Sequence, residues 1–283
     1  MATSNKIVSY TTKSVLQKFE QVQSFLDIDQ KYHIKNTLNF KYGRWPSDTP
    51  LAGLKLRYFG IGIGGRYVVN DEGLMAPYIP VSTEQDLYQP IPFRCRPLDE
   101  DLTPEERKYY RMRVVMDIGG GERRICYFLK LIEPIDTEVQ IFRIDASTGL
   151  TEPYELSSDG LRPTPIKPQT NDVQESESPD IIVGARINLH ITADEVTEYI
   201  DAKYGDRRYA VISEYSLVSG EDRQVEDIGS QGLVTYTEAI SATMSFKTCT
   251  AGTLVEGANW STDRQILVGD GTCIALSTSG TNP

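Results

Sequence analysis

Six consecutive residues, Gly60-Ile61-Gly62-Ile63-Gly64-Gly65, have a glycine spacing that could cradle a phosphate. A phosphate loop needs a helix directly after it, so that backbone amides and the helix dipole converge on the anion. Here the run Arg66-Tyr67-Val68-Val69-Asn70 follows instead, and no Gly-Lys-Ser/Thr completes the motif. Glycines alternating with isoleucine along a strand permit close approach of another backbone, or a bulge. Gly119-Gly120-Gly121 fails as a phosphate loop for the same reason, with strand-like sequence on both sides.

Nucleophilic and metal chemistry find little to build on. The two histidines, His33 and His190, have no local Ser or Cys partner, and no Gly-x-Ser-x-Gly occurs. Four cysteines, at 95, 126, 249 and 273, are widely spaced without any Cys-x-x-Cys, so neither a zinc site nor a disulfide framework is expected. Cys126 lies in the apolar run 125–131 and reads as a small core hydrophobe. Asp99-Glu100-Asp101 lacks the spacing of a calcium loop and reads as solvated. Asn259-Trp260-Ser261 matches a glycosylation sequon only in form. The expectation is therefore no catalytic residue, no cofactor and no metal.

Charge sets the partners. With 40 acidic against 29 basic residues, the net charge is −11 and repels phosphate backbones and anionic lipid. The one basic cluster, Arg107, Lys108, Arg111, Arg113, Arg123 and Arg124, is interspersed with Glu105, Glu106 and Glu122 and reads as strand faces or partner salt bridges. Neither nucleic acid nor a membrane is expected as partner. Sixteen tyrosines against eight phenylalanines suit strand faces and protein interfaces, where a ring is buried and a hydroxyl stays wet. No apolar leader-like segment opens the sequence, and synthesis in a reducing cytoplasm is expected.

The elements that would carry these residues are mostly extended. After a short strand (Ile7, Val8, Tyr10), Val15, Phe19, Val22 and Leu26 recur at i, i+4, i+7 and i+11, predicting a helix with one apolar stripe, capped by Thr11 or Thr12. Residues 34–70 read as extended, broken by a Gly43-Arg44-Trp45-Pro46 corner. Five prolines at 77, 80, 90, 92 and 97 interleave with aromatics and predict an ordered, wall-like loop. Thr103-Pro104-Glu105-Glu106 is a helix-start signature. Residues 107–146 predict a three-stranded antiparallel meander turning at Gly119–Gly121, with Arg113 and Val115 set against Arg124 and Cys126. Residues 156–180 are rich in Pro and Ser and read as a linker. A strand over 181–191 follows, then a capping box at Thr192–Glu195 opening a helix that ends at Gly205, then a strand over 209–218. Beyond Gly232, short strands joined by turns are expected.

This gives an α+β, mostly β chain: an arm and helix over 1–33, a β-rich domain over 34–155 with the antiparallel meander as core, the linker, and a second β-rich domain over 181–283. The order of arm, helix and Asn36-Thr37-Leu38-Asn39-Phe40-Lys41-Tyr42-Gly43-Arg44-Trp45-Pro46 resembles the start of baseplate-wedge proteins of contractile-tailed bacteriophages. Residues 110–131 are similar to segments of phage virion subunits. That resemblance, over about the first 130 residues, implies a non-enzymatic structural protein of the virion, in tail or baseplate, assembled in the host cytoplasm. It also implies protein–protein contacts with other virion proteins and with a second copy of itself. Val15, Phe19, Val22, Leu26 and Trp45 are the candidate interface residues, although the same stripe would also suit a helix folded onto its own sheet. The competing reading is a cytoplasmic binding or adaptor module.

Overall fold

A computed structural model describes residues 9–26, 37–44, 55–69, 73–132, 139–144, 151–155, 180–229, 232–269 and 273–281. The polypeptide is mostly β, with few helices, and every strand pairing is antiparallel.

Strand β1 (Ser9–Lys13) leads into helix α1 (Val15–Leu26). The expected strand residues Ile7 and Val8 lie outside the described residues. The helix is capped by Ser14, whose Oγ accepts from the amide of Gln17 at 3.2 Å, and not by Thr11 or Thr12, which β1 takes up. Residues Leu38–Lys41 form a short helix, α2, where an extended run was expected. Thr37 begins it by accepting from the Phe40 amide, a local cap that outweighs the β-rich look of the segment.

Then come β2 (Leu56–Gly62), β3 (Arg66–Val68), β4 (Met75–Pro77), β5 (Pro90–Ile91) and β6 (Arg94–Pro97). Helix α3 (Pro104–Arg107) has the full capping box: Thr103 accepts from the Glu106 amide, and the Glu106 carboxylate accepts from Thr103. Strands β7 (Tyr110–Asp117) and β8 (Arg123–Leu131) form the expected hairpin, with all three turn glycines at positive φ. Its register sets Arg113 opposite Tyr127 and Val115 opposite Ile125, one residue off the expected facing pairs.

The expected third meander strand, β9 (Gln140–Ile144), leaves that sheet altogether. It pairs with β10 (Thr151–Pro153) and β11 (Asp180–Thr192). Helix α4 (Asp194–Tyr204) ends at Gly205 in the left-handed region. Only half of its expected capping box forms: the Glu195 carboxylate accepts from the Thr192 amide, while Thr192 itself closes β11. A single 3-10 turn, Arg207–Tyr209, precedes β12 (Val211–Gly229), β13 (Gly232–Leu254), β14 (Ser261–Gly269) and β15 (Cys273–Thr281).

Of the short strands expected beyond Gly232, the later ones form as β14 and β15, but the first part is one 23-residue strand, β13, zipped against β12 from Val211↔Leu254 to Gly229↔Gly232. Three register shifts along β12 interrupt the alternation that would have revealed its length. This hairpin is the spine. The main sheet runs β1-β13-β12-β2-β8-β6, with β5 on β2 and β7 on β8. Strands from the expected first and second domains therefore share one sheet, because the hairpin supplies the edge on which β2 pairs. The second sheet runs β10-β9-β11-β14-β15. Residues from β2, β6, β8, β11, β12 and α4 join one apolar core, into which Val196 and Ile200 of α4 are fully buried. The expected linker, apart from Asp180, lies outside the described residues.

Candidate functional site

The glycine run closes around an anion, but the anion belongs to the protein. Glu214, on β12 and wholly buried, accepts from the amides of Gly64 (2.7 Å), Tyr88 (2.6 Å) and Gln89 (2.9 Å). Beside it the Gly65 amide donates to Ser213 Oγ at 3.1 Å. A Cβ on Gly64 would meet Glu214 Oε1 at 3.0 Å, and one on Gly65 would meet the Ser213 carbonyl oxygen at 2.5 Å. The glycines are needed because two backbones and a carboxylate occupy the space a side chain would fill.

A buried ammonium completes the base. Lys247 of β13, 1% exposed, donates to Glu84 Oε2 and to the Asp86 carbonyl, each at 3.0 Å, and stands 3.9 Å from Glu214. Its Nζ lies 3.2 Å from the centre of the Tyr88 ring, whose hydroxyl donates to Glu84 at 2.8 Å. Burial first, and then that bond to a carboxylate, push the Tyr88 phenol well above its ordinary value. The phenol is thus held as a neutral donor.

From Tyr88 a line of rings leads outward: Tyr88 to Tyr78 at 5.2 Å, then Tyr78 to Tyr67 at 5.1 Å. Strands β3 and β4 pair as a small hairpin (Tyr67↔Ala76), and the Val69 amide continues it by donating to the Leu74 carbonyl. The two-residue period puts Tyr67, Val69, Leu74 and Tyr78 on one face. All four are exposed, Leu74 by 62%, and Ile79 (72%) and Val81 extend the apolar surface along the proline-rich wall. The amide of Val15 at the start of α1 donates to the Ser82 carbonyl at 2.8 Å, which brings the helix to the end of this wall.

The candidate interface residues separate in the structure. Val15 is 45% and Val22 58% exposed, Phe19 is partly buried, and the helix faces its own chain through Leu16, which is buried. The arm that precedes it is spent on β13, from Ser9↔Thr250 to Lys13↔Phe246. The side chain of Leu26 and the whole of Trp45 lie outside the described residues. The sequence pointed to the helix but missed the hairpin face, whose only advance signal was the excess of tyrosine.

Other charged clusters are turned inward. Arg111 grips Asp222 with two bonds (2.8 and 3.0 Å) while Tyr58 donates to the same carboxylate at 2.7 Å. Burial works to raise the Asp222 carboxyl, but these hydrogen bonds outweigh it and hold the group below its usual range. Arg107, Arg113 and Tyr127 meet on Asp101. Lys130 and Tyr110 both donate to Glu195, each at 2.6 Å. Of the expected basic cluster, Arg107 ties α3 and Arg113 ties β7 to the loop at Asp101, and Arg111 ties β7 to β12. Arg124 likewise pairs with Glu122. Glu238, fully buried, accepts from the amides of Met112, Arg113 and Ala239, which holds Met112 at φ 58°, a costly value for a side chain-bearing residue.

Among the described residues, no group of three or more His, Cys, Asp and Glu is placed to hold a metal, and no helix is long and apolar enough to cross a membrane. A cleft of about 290 Å³ lies between α3 and the outer part of the β12–β13 hairpin, with Arg107, Lys108, Gln224 and Tyr236 in its walls. Neither a curated protein nor a solved structure matches the chain. Residues 1–280 match DUF7208, a family of unknown function, and since that match runs almost from end to end the chain belongs to this family.

Proposed function

We propose that the protein is a structural subunit of a phage virion, in the tail or baseplate, which acts by packing against other virion proteins and a second copy of itself and performs no catalysis. The observation that carries this reading is the exposed apolar surface of Tyr67, Val69, Leu74, Tyr78, Ile79 and Val81. Aromatic rings on a rigid support are the usual anchors of protein interfaces, because large area is covered with little loss of side-chain freedom. Here the support is the group formed by buried Glu214 and Lys247 with the partly exposed Glu84, reached through Tyr88. The exposed Val15 and Val22 of α1 add a second apolar strip beside the wall. The setting comes from the resemblance of residues 11–46 and 110–131 to baseplate-wedge and virion proteins.

The test is composition and assembly. Purified particles should contain the protein in fixed ratio to the other tail proteins, and the Ile79→Asp/Val81→Asp variant should fold yet fail to enter them. Recovery of the protein only in the soluble host fraction, with particles complete without it, would replace this reading with that of an adaptor module.

A further inference from the structure

We infer that Cys95 and Cys126 are a redox-controlled pair whose disulfide clamps β6 to β8. The two residues face each other in the antiparallel register of these strands, and their sulfurs are 3.6 Å apart. Directly opposed residues of an antiparallel pair have Cα atoms about 4.5–5.5 Å apart, inside the span of about 4.4–6.8 Å that a disulfide requires. Side-chain rotation alone can therefore bring the sulfurs into bonding distance. The inference does not depend on the assembly reading.

The chemistry has a direction. Both thiols are fully buried. The Cys126 thiol donates toward the Cys95 sulfur, which lowers the Cys95 thiol below its ordinary value, and Arg124 nearby works the same way. Cys126 is pushed up by that same contact and by burial. Arg124, whose Nη1 lies 3.4 Å from the Cys95 carbonyl oxygen, places a cation on the Cys95 side of the pair, which favours Cys95 as the attacking sulfur. As a thiolate it attacks one sulfur of a small disulfide such as oxidised glutathione, forming a mixed disulfide and expelling one glutathione thiolate. That thiolate takes the Cys126 proton. The Cys126 thiolate then attacks Cys95 Sγ and releases the second glutathione, which takes up the proton Cys95 had shed. One oxidised glutathione becomes two reduced ones, and the protein loses two hydrogens.

Access comes through β6. It is four residues long, stands at the end of the main sheet, and includes Pro97, which has no amide to donate. Such an edge opens locally at low cost. Closing the bond would fix an element that also anchors α4, since Arg94 and Arg96 both pair with Glu198 at 2.8 and 2.9 Å.

The experiment compares the full chain held in reductant with the same chain incubated with oxidised glutathione. After denaturation and alkylation, the oxidised sample should lack two reactive thiols. Peptide mapping should join the segments carrying Cys95 and Cys126, and the unfolding midpoint should rise by about 5–10 °C. The Cys95→Ala variant should show neither the link nor the rise, and the wild-type peptide map decides the matter if that variant does not fold. Four reactive thiols after treatment, a link between any other pair, a stable mixed disulfide only, or a link without a higher midpoint would each overturn the inference.

Discussion

Gly64 gives its amide to Glu214 across a separation of 150 residues, at 2.7 Å. That bond joins the end of β2 to the spine hairpin and leaves no room for a side chain at the neighbouring glycines. Gly65→Ala should therefore cost about 2–3 kcal/mol of stability, because the Ser213 backbone cannot yield to the new methyl. Urea denaturation checks it. A loss below about 0.5 kcal/mol would mean that the cradle is slack.

Removing the ammonium beneath Tyr88 should be worse. Lys247→Met leaves Glu84 and Glu214 without their cation, and breaking a buried pair from one side costs about 3–5 kcal/mol. Adding Glu84→Gln to the variant should recover part of that loss, which a double-mutant cycle would measure.

At the apolar face the opposite balance is expected. Val22→Asp and Ile79→Asp change exposed positions, so stability should move by no more than about 0.5 kcal/mol. Association with a partner or a second copy should weaken by at least about tenfold, the cost of losing an interface contact worth roughly 1.4 kcal/mol. Light scattering and thermal unfolding on the same samples separate the two effects.

Acid should loosen the join between β7 and the spine. The Asp222 carboxyl lies below its ordinary value of 3.8 in the folded protein, so its contribution is present above that value. It is lost as pH falls through the depressed folded value. Asp222→Asn should lower stability near neutrality and flatten the acid limb of a stability–pH curve. An unchanged acid limb would show that Arg111 and Tyr58 do not govern it.

Glu238→Gln tests the buried acceptor. Its two oxygens receive three amides, and a carboxamide would turn a donor toward one of them. The expected loss is about 1–3 kcal/mol, read by denaturant unfolding.

Local signals were the legible part of the sequence. The box at Thr103 and Glu106, the turn glycines 119–121 and the stop at Gly205 each depend on residues within a few positions, and each stands where expected. What needed distant partners did not show. The segment 138–145 reads as a strand, but nothing in it tells that it pairs with β11 rather than β8. The spine strand β13 hid its length because bulges and buried Thr and Ser residues break the apolar alternation. The site followed the same rule. The glycine run was visible and its failure as a phosphate loop could be argued. Its true occupant lies about 150 residues downstream, and the tyrosine line exists only once β3, β4 and the 84–89 segment meet.

Because β1 pairs with β13 from Phe246 to Thr250, a ribosome must reach residue 250 before β1 has a strand to join, whereas β2 can pair earlier with β5 and β8. Until β12 is made, Tyr58, Phe59 and Ile61, which end almost fully enclosed, lack the longest strand partner of β2. Completion of the main sheet thus follows the making of β12 and β13, while β2, β5, β6, β7 and β8 already have one another to pair with. Truncation before the hairpin would leave β2 with only its two short pairings, two residues each, to β5 and β8.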